Sequence, residues 1–284
     1  MNLSILYRGP LSSCNYGCAY CPFAKHSETA AEHKDDERAL DHFVGWVGDS
    51  KDDSISVLFT PWGEALIRKR YQRALIRLTN MTNVRKIAIQ TNLSCNLDWV
   101  DDCDKSRLAL WTTFHPTEVS RERFVAKCEE LERRGVRFSV GVVGLKEHAA
   151  EIEALRRELP SHTYLWINAY KRSANYYNVE DAERFALIDP LFPINNQNHA
   201  SYGRKCRGGE SVISVDGDGT IRRCHFIREP LGNIYAEGFQ SALRERPCTN
   251  DTCGCHIGYV HMNDLKLYRI YGEGVLERIP KGYQ

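Results

Sequence analysis

The sequence carries almost no net charge: 38 Lys and Arg face 37 Asp and Glu. Long-range attraction to nucleic acid or to an anionic bilayer is therefore not encoded in the total, and neither is expected as a partner. Long apolar runs are missing too. None approaches the ~18 residues that a membrane helix requires, so no membrane span is expected. The opening stretch Met1-Asn2-Leu3-Ser4-Ile5-Leu6-Tyr7 lacks a basic leader, a long apolar core and a small-residue cleavage site. It predicts a cytoplasmic protein without a secretory signal. Low-complexity segments are absent. The densest basic stretch, Arg68-Lys69-Arg70 with Arg73 and Arg77, lies opposite Leu66, Ile67, Ala74, Leu75 and Leu78, and reads as the solvated face of a helix.

Cysteine, by contrast, is abundant. There are 11 in 284 residues, clustered toward the two ends. In a reducing compartment disulfides are rare, so the clustering points to metal binding. Between the clusters, short β-branched runs alternate with longer amphipathic stretches. Strands are expected at Leu3–Tyr7, Ile55–Phe59, Lys86–Gln90, Leu108–Phe114, Arg137–Val143 and Tyr164–Asn168. Helices are expected near Asp36–Val47, Ile67–Met81, Asn96–Cys103, Glu118–Arg134, Lys146–Leu159 and Val179–Ile188. Repeated strand-then-helix order predicts an α/β fold with a parallel sheet curled into an open barrel, its chemistry at the carboxyl ends of the strands. After about residue 200 the pattern changes to a hairpin, Val212–Val215 and Thr220–Cys224, around Asp216-Gly217-Asp218-Gly219. The domains expected are residues 1–200 for the barrel and 201–284 for a separate small module.

Directly after the first strand stands Cys14-Asn15-Tyr16-Gly17-Cys18-Ala19-Tyr20-Cys21. Its spacing lets one loop wrap three thiolates around a metal cluster. A three-cysteine zinc site completed by a distant histidine shares that spacing. With Tyr20 before its last cysteine, the loop resembles that of the radical S-adenosylmethionine (SAM) superfamily. The resemblance implies a partial (β/α)6 barrel, a [4Fe-4S] cluster on Cys14, Cys18 and Cys21, and S-adenosylmethionine (AdoMet) on the iron without a protein ligand. Electron transfer into the sulfonium would then yield a 5′-deoxyadenosyl radical. Further segments follow in the order the superfamily shows. Pro61-Trp62-Gly63-Glu64 is similar to the segment that meets the AdoMet amino group, with Trp62 in place of a glycine, and implies roles for Gly63 and Glu64. Gln90 and Asn92 after the third strand, and Thr113 and His115 after the fourth, stand where the superfamily places polar groups on ribose or methionine. Gly141 and Gly144, on and after the fifth strand, resemble the segment along the adenine.

Near the end, Cys206 and Cys224 embrace the hairpin, and Cys248, Cys253 and Cys255 follow. The set resembles the auxiliary modules called SPASM and twitch, implying a second [4Fe-4S] cluster; a zinc ribbon could use the same thiols. Five cysteines compete for four places. Cys206, Cys224, Cys253 and Cys255 form the compact set in sequence, with Gly254 permitting a bend, and leave Cys248 as a free catalytic thiol able to return hydrogen to a substrate radical. The inventory also permits Cys248 as ligand and Cys253 or Cys255 as the spare. Cys95, Cys103 and Cys128 read as buried small apolar residues.

The thiol count favours an epimerase acting on an aminoglycoside or sugar-like substrate. A dehydrogenase that passes an electron to the auxiliary cluster is the alternative, as is a peptide-modifying enzyme. The barrel's start at residue 2 leaves no room for a leader-binding domain upstream. Outside catalysis, the chain would be a zinc or iron–sulfur protein. Flavodoxin or ferredoxin is the implied electron donor, and Asn168, Lys171, Arg172, His199 and Tyr202 are the expected substrate contacts.

Overall fold

The computed structural model describes residues 1–23 and 26–283. Six parallel strands lie side by side in chain order: β1 (Asn2–Arg8), β2 (Ser54–Phe59), β3 (Val84–Thr91), β4 (Leu108–Phe114), β5 (Arg137–Val143) and β6 (Leu165–Asn168). Helices α1 (Ala30–Asp49), α2 (Lys69–Thr79), α3 (Arg121–Arg133) and α4 (Ala149–Glu158) connect them, and α5 (Val179–Ala186) follows β6. All six strands are where the sequence puts them. The helix expected at Asn96–Cys103 is only a 3₁₀ turn at Asp98–Asp102, because the Asn96 side chain accepts the Asp98 N–H at 2.8 Å and competes with helical bonding. Helix α1 begins well before Asp36, on a capping box in which Thr29 and Glu32 accept one another's backbone N–H.

Alternation along the strands sorts their side chains into two cores. Leu3, Ile5, Val57, Ile87 and Leu110 face the helices, against Phe43, Leu75, Leu131 and Ile152. Leu6, Leu58, Ala88, Trp111 and Trp166 face the barrel interior. The basic stretch on α2 is not simply solvated. Arg70 bonds to buried Asp36 of α1, and Arg73 and Arg77 pair with Glu37 and Asp41, so the two helices share an ionic seam.

Past β6 the chain forms α6 (Phe192–Asn195), β7 (His199–Ala200), β8 (Val212–Asp216), β9 (Thr220–Arg222), β10 (Pro230–Asn233) and β11 (Thr252–Cys253). The hairpin β8–β9 is not a separate body: β8 lies parallel to β1, with Leu6 opposite Ser214, and β8, β9 and β10 extend the barrel sheet. Its turn uses Gly219 at φ +83°. The short helices α7 (His256–Tyr259) and α8 (Leu267–Tyr271) introduce a final segment that plugs the barrel. Ile257 and Leu276 join the interior core, and fully buried Arg278 stacks 4.3 Å over Trp166. No helix among the described residues is long and apolar enough to cross a membrane.

Candidate functional site

The loop after β1 is held from below by carboxylates. Asp36 accepts the Leu11 N–H at 3.2 Å, Glu28 accepts the Ser12 N–H at 2.7 Å and the Ser13 hydroxyl at 2.6 Å, and Glu118 accepts the Gly17 N–H at 3.0 Å. None of these three carboxylates was marked by the sequence. Asp36 is a buried acid on the amphipathic helix α1, while Glu28 and Glu118 stand in the loops before α1 and α3, where nothing local distinguishes them.

Within the loop, backbone N–H groups point at sulfur. Tyr16 donates to Cys14 Sγ and Phe23 to Cys21 Sγ, both at 3.4 Å, while Cys21 N–H reaches Cys18 O at 3.1 Å. Such bonds stabilise thiolate charge. Burial pushes the Cys14 thiol up and the Cys18 thiol up to about 11, so neither ionises readily without a cation beside it.

His115 closes the site from the end of β4, its Nδ1 lying 2.8 Å from the Tyr20 hydroxyl and 3.3 Å from Cys18 Sγ. Burial lowers His115 to about 4. The neutral ring thus ties two parts of the cysteine loop together, and Tyr20 is spent on that contact. Asn92 donates to Asn15 at 3.1 Å and reaches Cys14 Sγ at 3.9 Å. Gln90 and Thr113 share the interior face of Ala88 and Trp111 and stand half-buried at the mouth.

Glu64 is turned away from the mouth. Its carboxylate accepts the Leu66 N–H at 3.0 Å, the Thr91 hydroxyl at 2.9 Å and the Asn92 N–H at 2.5 Å, and burial raises it to about 7. It therefore fixes the end of β3 rather than presenting a free oxygen. Gly63 has a packing role: a Cβ there would lie 1.9 Å from Ser13 O. Gly141 departs from the expected adenine contact, because its interior side is filled by Trp166, whose ring would meet a Cβ at 1.9 Å. Gly144 is similarly packed on Ile167 and Tyr177.

The later cysteines divide in an unexpected way. Cys206, Cys224, Cys248 and Cys253 line one small internal void together with Phe226, Gly258, His261 and Met262. Cys255 does not line it. Burial raises Cys206, takes Cys224 to about 11 and takes Cys253 to about 12, and each feels the charge of other cysteines around the void. The antiparallel pair β7–β11 aligns Cys253 with His199, which sets Cys253 toward the void and lets the following residues turn away. Gly254 serves the close approach of Asn198, whose Oδ1 would lie 2.2 Å from a Cβ.

Cys255 is solvent-exposed although protein surrounds it on several sides. Surrounding protein pushes its thiol pKa up, against the Ile257 N–H and the positive charges of Lys171, Arg278 and Arg8, which pull it down. Of the expected substrate contacts, Lys171 is committed to the carbonyls of Asn195, Gln197 and Gly254 at 2.5, 3.1 and 2.5 Å, and His199 to Ile194 O at 3.0 Å. Arg172 and Tyr202 are on the surface, and Asn168 ends β6 on the interior face.

The two thiol groups fit iron–sulfur ligation in their chemistry: soft donors, buried or half-buried, with backbone N–H groups aimed at Cys14, Cys21 and Cys206. Among the described residues no three His, Cys, Asp or Glu side chains converge on a point suited to a single metal ion.

No protein-family model and no curated protein matches the sequence. Solved structures do match. Native anSMEcpe with bound AdoMet aligns with TM-score 0.58 and 17% identity over 84% of this chain and 80% of that one. The same protein with AdoMet and the Cp18Cys peptide gives 0.55 and 16% over 84% and 80%. BtrN in complex with AdoMet and 2-DOIA is 16% identical over 84% and 85%, with a TM-score of 0.38 that carries no argument. At such identities the likeness shows the fold, and it is the barrel that the radical SAM resemblance implies.

Proposed function

We propose that the chain is a radical SAM enzyme that inverts a stereocentre in a polar substrate, with Cys255 as the hydrogen-atom donor. The observation that carries this reading is the four-to-one division of the later cysteines. Four surround one void, and the fifth stands apart with its thiol open to solvent beside Arg8.

Cys14, Cys18 and Cys21 would hold one four-iron cluster, and Cys206, Cys224, Cys248 and Cys253 the second. With AdoMet bound and an electron delivered by a donor such as flavodoxin or ferredoxin, a cluster held there would supply the radical chemistry needed to take hydrogen from a substrate carbon. The chain's own residues do the rest. Glu28, Asp36 and Glu118 fix the loop, His115 keeps it closed, and Trp166 with Arg278 seals the barrel against water from below. The Cys255 thiol, its pKa raised above an ordinary value that already lies above neutrality, keeps its proton. Its S–H bond is weaker than a carbon-bound C–H, so it returns a hydrogen atom to the substrate radical. The sulfur radical left behind would take a second electron from the same external donor and one proton from solvent to regain its thiol.

The reassignment relative to the sequence reading is that Cys248 becomes a ligand and Cys255 the spare. An enzyme that passes the second electron to the auxiliary cluster needs no exchangeable thiol, so the dehydrogenase reading gains nothing from Cys255. Turnover in deuterated water tests the proposal. Solvent deuterium at the inverted carbon supports it, and a product carrying none, or a carbonyl product, defeats it.

A further inference from the structure

An open cavity of about 1140 Å³ lies at the ends of β1 and β8, bounded by β9, by Trp62 and by Asp35, Arg38 and His42 of α1. That is beyond the common size for a small-molecule pocket. At its edge stands Arg8, the last residue of β1, on the interior side of the sheet and opposite Asp216 in register. The Arg8 guanidinium carbon sits over the Trp62 ring, 3.8 Å from its centre, and its Nε donates to Thr60 O at 3.1 Å. These two contacts fix the plane of the fork. Its two terminal amino groups meet no hydrogen-bond acceptor among the described residues. Burial lowers Arg8 to about 10, which leaves it charged at neutral pH.

The other charges of the cavity are largely committed. Asp216 is turned to Arg222 at 2.8 Å, and Arg38 is paired with Asp35. Asp218 accepts the Thr220 N–H at 2.9 Å. Arg228 is exposed and forms no ion pair among the described residues. Four arginines line the cavity against three aspartates, and the best-oriented of the four presents a guanidinium held against an indole. An arginine so held matches the two oxygens of a carboxylate in parallel. A polycation would instead bring like charge to a partly desolvated arginine, which is repulsive.

We propose that this cavity is the substrate site and that it takes a carboxylate-bearing substrate, with Arg8 on Trp62 as the carboxylate receptor. The inference rests on the enzyme reading above and narrows its substrate class, away from the polycationic aminoglycosides that the sequence favoured. A sugar acid and an acidic peptide offer the same group, and the size of the cavity admits either.

The test is calorimetric titration of the anaerobically reconstituted protein with glucuronate, with N-acetyl-glutamyl-alanine and with neomycin, each with AdoMet already saturating. At least one carboxylate is expected to bind, more weakly as salt rises, and the tighter of the two identifies the source. Arg8→Ala should weaken that binding about tenfold or more, and Arg8→Lys should restore part of it, because lysine keeps the charge but not the fork. Melting curves of both variants guard against a folding artefact. Binding of neomycin in preference to both carboxylates, carboxylate binding indifferent to Arg8→Ala, or no carboxylate binding at all would overturn the proposal. Iron content and AdoMet cleavage, read on the same wild-type preparation, separate a failure of this inference from a failure of the enzyme reading.

Discussion

Gly63 lies so close to Ser13 that a methyl group on its Cα would sit 1.9 Å from the Ser13 carbonyl oxygen, which itself accepts the Glu64 N–H at 3.1 Å. The segment after β2 and the cysteine loop after β1 are thus packed backbone to backbone. Gly63→Ala must push them apart, because the obstructing atom belongs to the main chain and cannot rotate away. We expect the variant to keep the later cluster and lose most of the first, so iron bound after anaerobic reconstitution should fall from about eight to about four per chain. A full complement of iron would show that the loop tolerates the shift.

The division of the later cysteines gives a sharper contrast. Cys248→Ala should cost the protein its second cluster, lowering bound iron to about four per chain. Cys255→Ala should retain all the iron and still cleave AdoMet, yet release no inverted product. The opposite pattern, with Cys255→Ala losing iron and Cys248→Ala keeping it, would restore the assignment that the sequence favoured.

Asp36 ties α1, α2 and the cysteine loop at one buried point. It accepts from Leu11 N–H, from Arg70 at 2.7 Å and from the Tyr71 hydroxyl at 2.8 Å. Removing it leaves a guanidinium and a phenol without their acceptor in the interior. Asp36→Ala should cost roughly 3–5 kcal/mol in urea unfolding of the metal-free protein. Asp36→Asn, which keeps one acceptor oxygen, should cost less.

Glu64 predicts a pH dependence with a definite sign. Its folded pKa, about 7, lies above the ordinary 4.5 because burial outweighs the hydrogen bonds it receives. Folded chains therefore hold a proton that unfolded chains release between those values, and stability falls as pH rises through that window. The contribution, fully present below pH 4.5 and lost by pH 7, is on the order of 3 kcal/mol. Unfolding of the metal-free protein measured across pH 5 to 8 should show the slope, and Glu64→Gln should flatten it. An unchanged slope in that variant would mean Glu64 is already ionised in the native state.

Local pattern alone located the six barrel strands, the cysteine loop and the buried roles of Cys95, Cys103 and Cys128, because period-two alternation and ligand spacing are properties of neighbouring residues. A capping box is equally local, and the one at Thr29 starts α1 at Ala30, ahead of the apolar periodicity that begins near Asp36. What the sequence could not reveal is everything that depends on residues far apart meeting. Arg8 and Trp62 read as a strand end and a departure from a glycine segment until their stacking makes them one receptor. Glycines at 141 and 144 look like ligand contacts until Trp166, Ile167 and Tyr177 are seen to fill their open sides. Five cysteines in a row of spacings cannot say which four converge. That was decided when the pairing of β7 with β11 fixed the course of the chain at Cys253 and left Cys255, two residues on, exposed and outside the void, since a change of direction over two residues is set by what the backbone packs against.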